Sequence, residues 1–204
     1  MNLLTQNAKL KKTSKLNNTK IFNFSIPAYK TKSGKITCPF AKDCIKYCYA
    51  QKGNYTRFPI VQELMEKKYN ITKQDNFINL MNEEIQKKNA KYIRIHDSGD
   101  FYSVKYLQKW VDIAIQNKDV IFYAYTKSIK FFTDNKINKP KNLKIIFSEG
   151  SKIDTLINVN KHRHARIFMG ANAKKDLLAA GYIDASNNDL KAITSNKKVG
   201  LIYH

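Results

Sequence analysis

The sequence predicts an α/β protein of one domain, built on a parallel sheet that forms a partial (β/α) barrel of about six strands. Two observations predict this class. Short apolar runs typical of buried strands alternate along the chain with amphipathic helical patterns, which is the signature of right-handed βαβ units. The chain has 204 residues, of which 43% are hydrophobic, and this length and composition suit a single core.

The predicted elements begin after a polar and basic segment. Residues 1–20 show no periodicity and are predicted to be a flexible basic arm, so the domain is expected to span 21–204. A strand over residues 21–26 is followed by a loop, 28–56, which contains turn-forming glycine and proline and all the cysteines. Loops of this length inside a domain are uncommon unless they are functional or disordered, and the cysteines favour function.

Two helical patterns, 59–69 and 75–88, carry apolar residues at helical spacing and are expected to cover the sheet. The predicted elements after them are a strand at 92–96, a helix at 104–116, a strand at 120–125, a short helix near 128, a strand at 143–147, a helical turn at 153–157, a strand at 166–169, a helix at 173–180 and a strand at 199–203.

Polar residues follow several of these predicted strands. In parallel folds of this class ligands gather at the carboxyl ends of the strands, so these turns are expected to form one rim and to contain the site. The turns are His96-Asp97-Ser98-Gly99-Asp100, Tyr125-Thr126-Lys127-Ser128, Ser148-Glu149-Gly150 and Gly170-Ala171-Asn172.

The three cysteines of the chain, Cys38, Cys44 and Cys48, lie within eleven residues. An odd number cannot pair internally, so metal ligation is the favoured interpretation. Three thiolates in one loop can bind three irons of a 4Fe–4S cluster and leave the fourth iron open to a small molecule. Unligated neighbouring cysteines are one alternative. Zinc is the other, and it would need a fourth ligand such as His96, His162, His164 or His204.

Three motifs, TCPFAKDCIKYCYA, RIHDSGDFYSVKYLQKW and FYAYTKS, together resemble the phage and bacterial gene-product-88 family over residues 27–128. A wider resemblance is to radical S-adenosylmethionine enzymes, in which a three-cysteine loop after the first strand carries the cluster. In that resemblance Tyr47 is the aromatic residue before the last cysteine. Ser98-Gly99-Asp100 stands at the turn that binds the amino group of S-adenosylmethionine, with Asp in place of Glu, and Thr126 stands in the turn after the next strand.

This wider resemblance implies a radical enzyme that uses a 4Fe–4S cluster and S-adenosylmethionine and needs a reductant protein. A carboxylate such as that of Asp100 can pair with an ammonium group, and Gly99 beside it lets a ligand approach the backbone. The alternative role of Asp100 is to cap the helix that begins near Val104. His96 is expected to be a proton donor or a neighbour of the cluster, or else a satisfied buried histidine. Glu149 is expected to hold a ribose hydroxyl, or else to be an exposed turn carboxylate.

The formal net charge of +21 favours a nucleic acid or nucleotide partner, and solvated lysine faces are the alternative. Two other functions remain open. Asp97-Ser98-Gly99 is similar to a turn of phage deazapurine DNA transglycosylases, in which Asp97 would face the exchanged base. The third function is a zinc-stabilised nucleic-acid-binding protein. No apolar stretch predicts a membrane span or a secretory signal, so we expect a cytoplasmic protein, in the host cytoplasm if a phage encodes it.

Overall fold

The computed structural model describes residues 1–134, 137–194 and 198–203. His204, one of the candidate zinc ligands, lies outside the described residues. The strands are β1 (Ile21–Phe24), β2 (Tyr92–Ile95), β3 (Ile121–Thr126), β4 (Leu143–Ser148), β5 (His164–Phe168), β6 (Ile183–Asp184) and β7 (Lys198–Ile202). The helices are α1 (Ala8–Leu16), α2 (Cys44–Tyr47), α3 (Asn54–Arg57), α4 (Pro59–Lys73), α5 (Phe77–Lys88), α6 (Val104–Gln116), α7 (Ile129–Asp134), α8 (Ala173–Ala179) and α9 (Lys191–Thr194).

All the strand pairs are parallel, and the strands lie in the order β1-β2-β3-β4-β5-β7-β6. Because β1 to β5 follow one another in space as they do in sequence, the sheet curls in one direction into a half-barrel. The predicted partial barrel of a single domain is therefore confirmed. The described residues contain seven strands where about six were predicted, and one of them, β6, has only two residues.

The outer, convex face of the sheet is covered by α5 and α6. Leu107, Trp110, Val111 and Ala114 recur at helical spacing along α6 and are buried, so this face of the helix packs on the sheet. The Trp110 ring lies 5.3 Å from the ring centroid of Phe24 in β1. These contacts belong to the largest apolar cluster in the described part of the chain, and they hold β1 to β4 firmly in place.

The first twenty residues differ from the predicted flexible arm. Asn7 caps α1 by accepting a hydrogen bond from the Leu10 amide at 2.8 Å, and α1 lies against the concave face of the sheet. Leu3, Leu4 and Leu10 are buried. Leu10 packs in the cluster on the concave face, whereas Leu3 and Leu4 belong to the large apolar cluster that also contains residues of α5 and α6. Three leucines produce no readable period, and their burial depends on residues far along the chain. The sequence therefore could not indicate it.

The carboxyl-terminal part of the sheet has a smaller core. Its cluster consists of one isoleucine, one valine and three alanines, namely Ile146, Val199, Ala165, Ala185 and Ala192. The pairing between β4 and β5 is also short, because only Phe147↔His164 and Ser148↔Ala165 are in register. The first half of β4 is thus unpaired on the β5 side.

No helix in the described ranges is both long enough and apolar enough to cross a lipid bilayer.

Candidate functional site

A cavity of about 180 Å³ lies where the carboxyl ends of the strands meet the cysteine loop. Its walls come from the loop, from the turns after β2, β3 and β4, and from the strands β5 and β7. Eight of the ten predicted site residues line it, namely Cys38, Cys44, Cys48, Tyr47, His96, Ser98, Gly99 and Asp100. Thr126 and Glu149 are the two predicted residues that do not.

The three cysteines face this cavity from different parts of one loop. The Tyr29 amide donates a hydrogen bond to Cys38 Sγ at 3.3 Å, whereas Cys44 begins α2 and Cys48 follows its end. Burial, with the negative charge of Asp100 adding to it, raises the pKa of Cys38 to about 12. Burial also raises the pKa of Cys44, and the ammonium group of Lys127 opposes that shift. The thiols of Cys38 and Cys44 therefore need a bound cation in order to ionise near neutral pH.

The cavity offers sulfur and imidazole donors together. Within residues 1–134, 137–194 and 198–203, no group of three or more His, Cys, Asp or Glu side chains is assembled as a metal-ion site. That finding concerns a site for a single ion. The ligands of one zinc ion all lie about 2.0–2.3 Å from it, whereas the three thiolates of a 4Fe–4S cluster bind three separate irons. Of the described histidines only His96 shares the cavity with the cysteines. The ring nitrogens of His164 contact the His162 carbonyl and the Tyr182 hydroxyl instead.

His96 follows β2 in the left-handed backbone region, with φ of +66°. Its Nε2 lies 2.8 Å from the Tyr106 hydroxyl, and its Nδ1 has no hydrogen-bond partner among the described residues. Burial lowers the pKa of His96 to about 3, so the ring is neutral near pH 7. A neutral ring with one unpartnered nitrogen can donate a hydrogen bond to a bound ligand or accept one from it, depending on its tautomer.

Ser98 and Gly99 form the turn that follows. The Ser98 hydroxyl is buried and has no partner in the described part of the chain. Gly99 has φ of +85°, and a Cβ atom there would lie 2.3 Å from Ile26 Cγ1. Only glycine fits this position, because a larger residue would meet both backbone strain and a steric clash.

Asp100 is buried and ties two strand ends together. Its Oδ1 accepts hydrogen bonds from the Phe101 amide at 2.7 Å and from Thr126 Oγ1 at 2.5 Å, and its Oδ2 accepts one from the Lys127 amide at 2.8 Å. Burial raises the pKa of Asp100, and these hydrogen bonds oppose the shift. Thr126 therefore positions Asp100 instead of facing the cavity. The alternative capping role belongs to Ser103, whose hydroxyl accepts from the Tyr106 amide at 3.2 Å.

Glu149 forms an ion pair with Arg166, with 2.6 Å between Oε2 and Nε. Its other oxygen lies 3.3 Å from the Tyr182 hydroxyl. Glu149 thus forms a half-exposed cluster with Arg166 of β5 and with Tyr182, which follows α8. The structure does not bring this carboxylate to the other predicted site residues.

Sequence reasoning missed a buried charge network beside the cavity. Arg94 Nη1 lies 2.9 Å from Asp189 Oδ2 and 3.5 Å from Asp97 Oδ1. Asp97 Oδ2 accepts hydrogen bonds from Asn7 at 2.8 Å and from the Tyr55 hydroxyl at 2.5 Å. The network therefore joins the amino terminus, the cysteine loop, β2 and the carboxyl-terminal segment. One signal was readable, because alternation along Tyr92–Ile95 places Arg94 opposite the buried isoleucines.

Two further residues that line the cavity are Tyr125, near the end of β3, and Lys127, just after it. The Tyr125 hydroxyl is buried without a partner among the described residues, and the Arg94 guanidinium lies 5.2 Å from the Tyr125 ring centroid. Lys127 Nζ donates to Ser148 Oγ at 2.8 Å. The cavity thus combines three thiols, one ammonium group and three residues, His96, Ser98 and Tyr125, that each have an unpartnered buried polar atom.

Comparison with known proteins gives a family. A family model described as Gene product 88 matches residues 1–204. The chain is similar to the Gene 88 protein of Mycobacterium phage L5, with 31% identity over 102 residues, which are 45% of this chain and 43% of that protein. It is also similar to the Gene 88 protein of Mycobacterium phage D29, with 30% identity over 123 residues, which are 55% of this chain and 51% of that protein. The chain matches about half the length of these curated relatives. No solved structure matches.

Proposed function

The chain belongs to the gene product 88 family, and we propose that it is an iron–sulfur enzyme of the radical S-adenosylmethionine type that acts on a nucleotide or nucleic acid. One observation carries this proposal. Three cysteines of a single loop line the same cavity at the carboxyl edge of a parallel half-barrel, which is where folds of this class bind ligands and do chemistry.

Cys38, Cys44 and Cys48 would hold three irons of a 4Fe–4S cluster. With S-adenosylmethionine bound, such a cluster supplies one-electron reductive chemistry, for which a reductant protein is the expected partner. Because burial raises the pKa of Cys38 to about 12, binding displaces protons from the thiols, and loading is favoured by higher pH.

The turn after β2 would hold the S-adenosylmethionine. Asp100 Oδ2 accepts one hydrogen bond, from the Lys127 amide, and so has capacity for the ammonium group of the methionine part. Gly99 lines the same cavity, and its missing side chain leaves the space that Ile26 occupies. The unpartnered atoms of Ser98, His96 and Tyr125 favour a polar ligand, because an unsatisfied buried polar group costs about 1–3 kcal/mol. The neutral His96 ring would form one hydrogen bond with the ligand through Nδ1.

The cavity can also exclude water from its ligand. The Tyr47 ring packs at 6.0 Å from the ring centroid of Tyr203, so two aromatic rings close one wall. Radical chemistry needs such exclusion, because water competes for reactive groups.

The first test is anaerobic reconstitution with iron and sulfide, followed by metal and acid-labile sulfide analysis and low-temperature electron paramagnetic resonance of the reduced protein. We expect about four irons and four sulfides per chain. Cys44→Ser should lose most of both. Asp43→Asn, an exposed change in the same loop, should keep them. A colourless protein that carries one zinc ion would end the proposal.

The second test concerns S-adenosylmethionine. Ser98→Ala removes a hydroxyl that has no described partner in the protein, so the fold should be unaffected. We expect about five- to tenfold weaker binding of S-adenosylmethionine to the reconstituted variant by calorimetry, which corresponds to one lost hydrogen bond. Equal affinity in the variant and the parent, with equal iron content, would remove Ser98 from the ligand site.

The transglycosylase alternative gains less support from the geometry. It needs the Asp97 carboxylate to face a base, but Asn7, Tyr49 and Tyr55 already donate to its oxygens. Comparing modified bases in DNA with and without the gene would test it. The zinc alternative is decided by the metal analysis above.

A further inference from the structure

A second concave feature of about 390 Å³, which we call the basic groove, lies towards the amino end of β4. Its polar lining includes Lys139, Lys144, Lys161 and Arg163, and Phe132 and His162 contribute rings. We propose that the basic groove binds the phosphate backbone of single-stranded nucleic acid. The inference goes beyond the proposed function and does not depend on the cysteines.

The groove exists because two neighbouring strands diverge. β4 and β5 pair only through Phe147↔His164 and Ser148↔Ala165, so the chain before His164 separates from the first half of β4. A crossover between parallel strands normally carries a helix that covers the sheet. Here the connection, residues 149–163, contains only a 3₁₀ turn at Asp154–Leu156. The space that a helix would fill remains open.

The groove gathers positive charge without acidic residues. No Asp or Glu is among the described residues that line it, and neither Lys144 nor Lys161 forms an ion pair within the described ranges. Burial, followed by the charge of Lys144, lowers the pKa of Lys139. Burial and the charge of Lys161 likewise lower the pKa of His162. The cations therefore repel one another, and a bound anion would relieve that repulsion.

The edge of β4 adds a backbone donor to these charges. The Asn142 carbonyl points to β3, where it accepts from the Phe122 amide, while the Phe147 amide donates towards β5 to the Arg163 carbonyl. Backbone groups alternate along a strand, so the amide of Ile145 points to the same side as that of Phe147. Ile145 lines the groove and has no register partner in β5. A phosphate oxygen could accept from this amide.

The rings in the groove favour a single strand over other anions. The Phe147 ring centroid lies 5.7 Å from that of Phe132 and 4.9 Å from that of His162. Aromatic rings beside cations are what sites for single strands use, because bases stack on the rings while lysines neutralise phosphates. The groove has the volume of a small-molecule site, so it can take about one nucleotide of a strand but not a duplex. The net charge of +21 adds long-range attraction.

The test measures binding of a labelled oligothymidylate of about 12 nucleotides to the full chain over a range of salt concentrations. Lys144→Gln/Lys161→Gln should weaken binding about tenfold and should reduce the slope of log K against log salt by about 1.4, since each phosphate contact on a single strand contributes about 0.7. Lys67→Gln/Lys118→Gln removes the same charge from exposed positions outside the groove and should leave the slope nearly unchanged.

Equal losses in the two double variants would overturn the proposal, because the binding would then follow net charge alone. Equal affinity for inorganic tripolyphosphate, for polyglutamate or for duplex DNA of the same length would also overturn it. The iron content of Lys144→Gln/Lys161→Gln and the salt slope of Cys44→Ser should both match the parent, so a failed cluster and a failed groove give different results.

Discussion

The cysteine cavity and the basic groove lie towards opposite ends of β4 and are built in opposite ways. Beside the cavity the charges are buried and paired, as when Arg94 contacts both Asp97 and Asp189. In the groove the cations Lys144 and Lys161 face a space without a described carboxylate. The cavity therefore depends on internal ion pairs and hydrogen bonds that are needed for folding. In the groove, by contrast, the lysine side chains repel one another, and a bound anion would relieve that repulsion. Substitutions in the two regions should change stability in opposite directions.

The largest effect is expected at Arg94, whose side chain is only 11% exposed. Arg94→Met leaves the buried carboxylates of Asp97 and Asp189 without their shared guanidinium, so the free energy of unfolding should fall by about 3–5 kcal/mol in urea titrations. Arg166→Met is the matched control, because the Arg166 side chain is 49% exposed in its pair with Glu149. The control should lose no more than about 1 kcal/mol. Similar losses in both variants would show that the buried network near the cavity contributes no more to stability than the exposed Arg166–Glu149 ion pair.

The next effect is expected at Asp100. Asp100→Asn replaces a carboxylate that accepts three hydrogen bonds by an amide with a single acceptor oxygen, and at least one buried donor loses its partner. The free energy of unfolding should fall by about 1–3 kcal/mol. Asp112→Asn, on the exposed side of α6, should change it by less than about 0.5 kcal/mol. An unaffected Asp100→Asn protein would contradict the geometry of the turn.

A smaller effect should appear as sensitivity to acid. The folded pKa of His96, about 3, is lower than its ordinary value of 6.5. Below pH 6.5 the unfolded chain therefore binds a proton that the folded chain does not. Stability is lost as pH falls, by about 1.4 kcal/mol from this group at pH 5.5, and the loss is absent above about pH 7.5.

Urea titrations at pH 7.5 and 5.5 measure this difference. His96→Gln should lose about 1.4 kcal/mol less than the parent on acidification. His162→Gln, at the groove, is the comparison, because the His162 side chain is less buried and its pKa shift is smaller. Indistinguishable acid responses in His96→Gln and the parent would place the His96 ring in water.

The smallest effect should have the opposite sign. Lys144→Gln/Lys161→Gln relieves repulsion in the groove and should raise the free energy of unfolding by about 0.5 kcal/mol at low salt, with the gain disappearing near 1 M salt. Lys67→Gln/Lys118→Gln should gain less. A destabilised groove variant would mean that these lysines support the fold, and the contrast between the two regions would then fail.

The sequence predicted best what depends on local pattern. The predicted helix at 104–116 has the bounds of α6, because its buried residues recur at helical spacing and a serine caps it. Three of the four predicted rim turns were also located correctly, since finding the end of a strand is enough to find the turn after it, whereas Gly170-Ala171-Asn172 does not line the cavity. Eight of the ten predicted site residues accordingly line one cavity.

The sequence could not predict what depends on curvature and register. Arg94 lies within β2 and enters the cavity because the sheet curls and gives this strand a concave face. The burial of α1 depends on the same face. The basic groove results from the two-residue pairing of β4 with β5, and no local pattern encodes the point at which neighbouring strands separate.

The same short pairing divides the sheet into a panel of four strands and a panel of three, joined at a narrow seam. Most of the cavity wall belongs to the first panel, but Ile167, Leu201 and Tyr203 belong to the second. A seam with few hydrogen bonds is where a sheet bends most easily. Bending there would separate the Tyr203 ring from Tyr47 of the cysteine loop and would widen the mouth of the cavity.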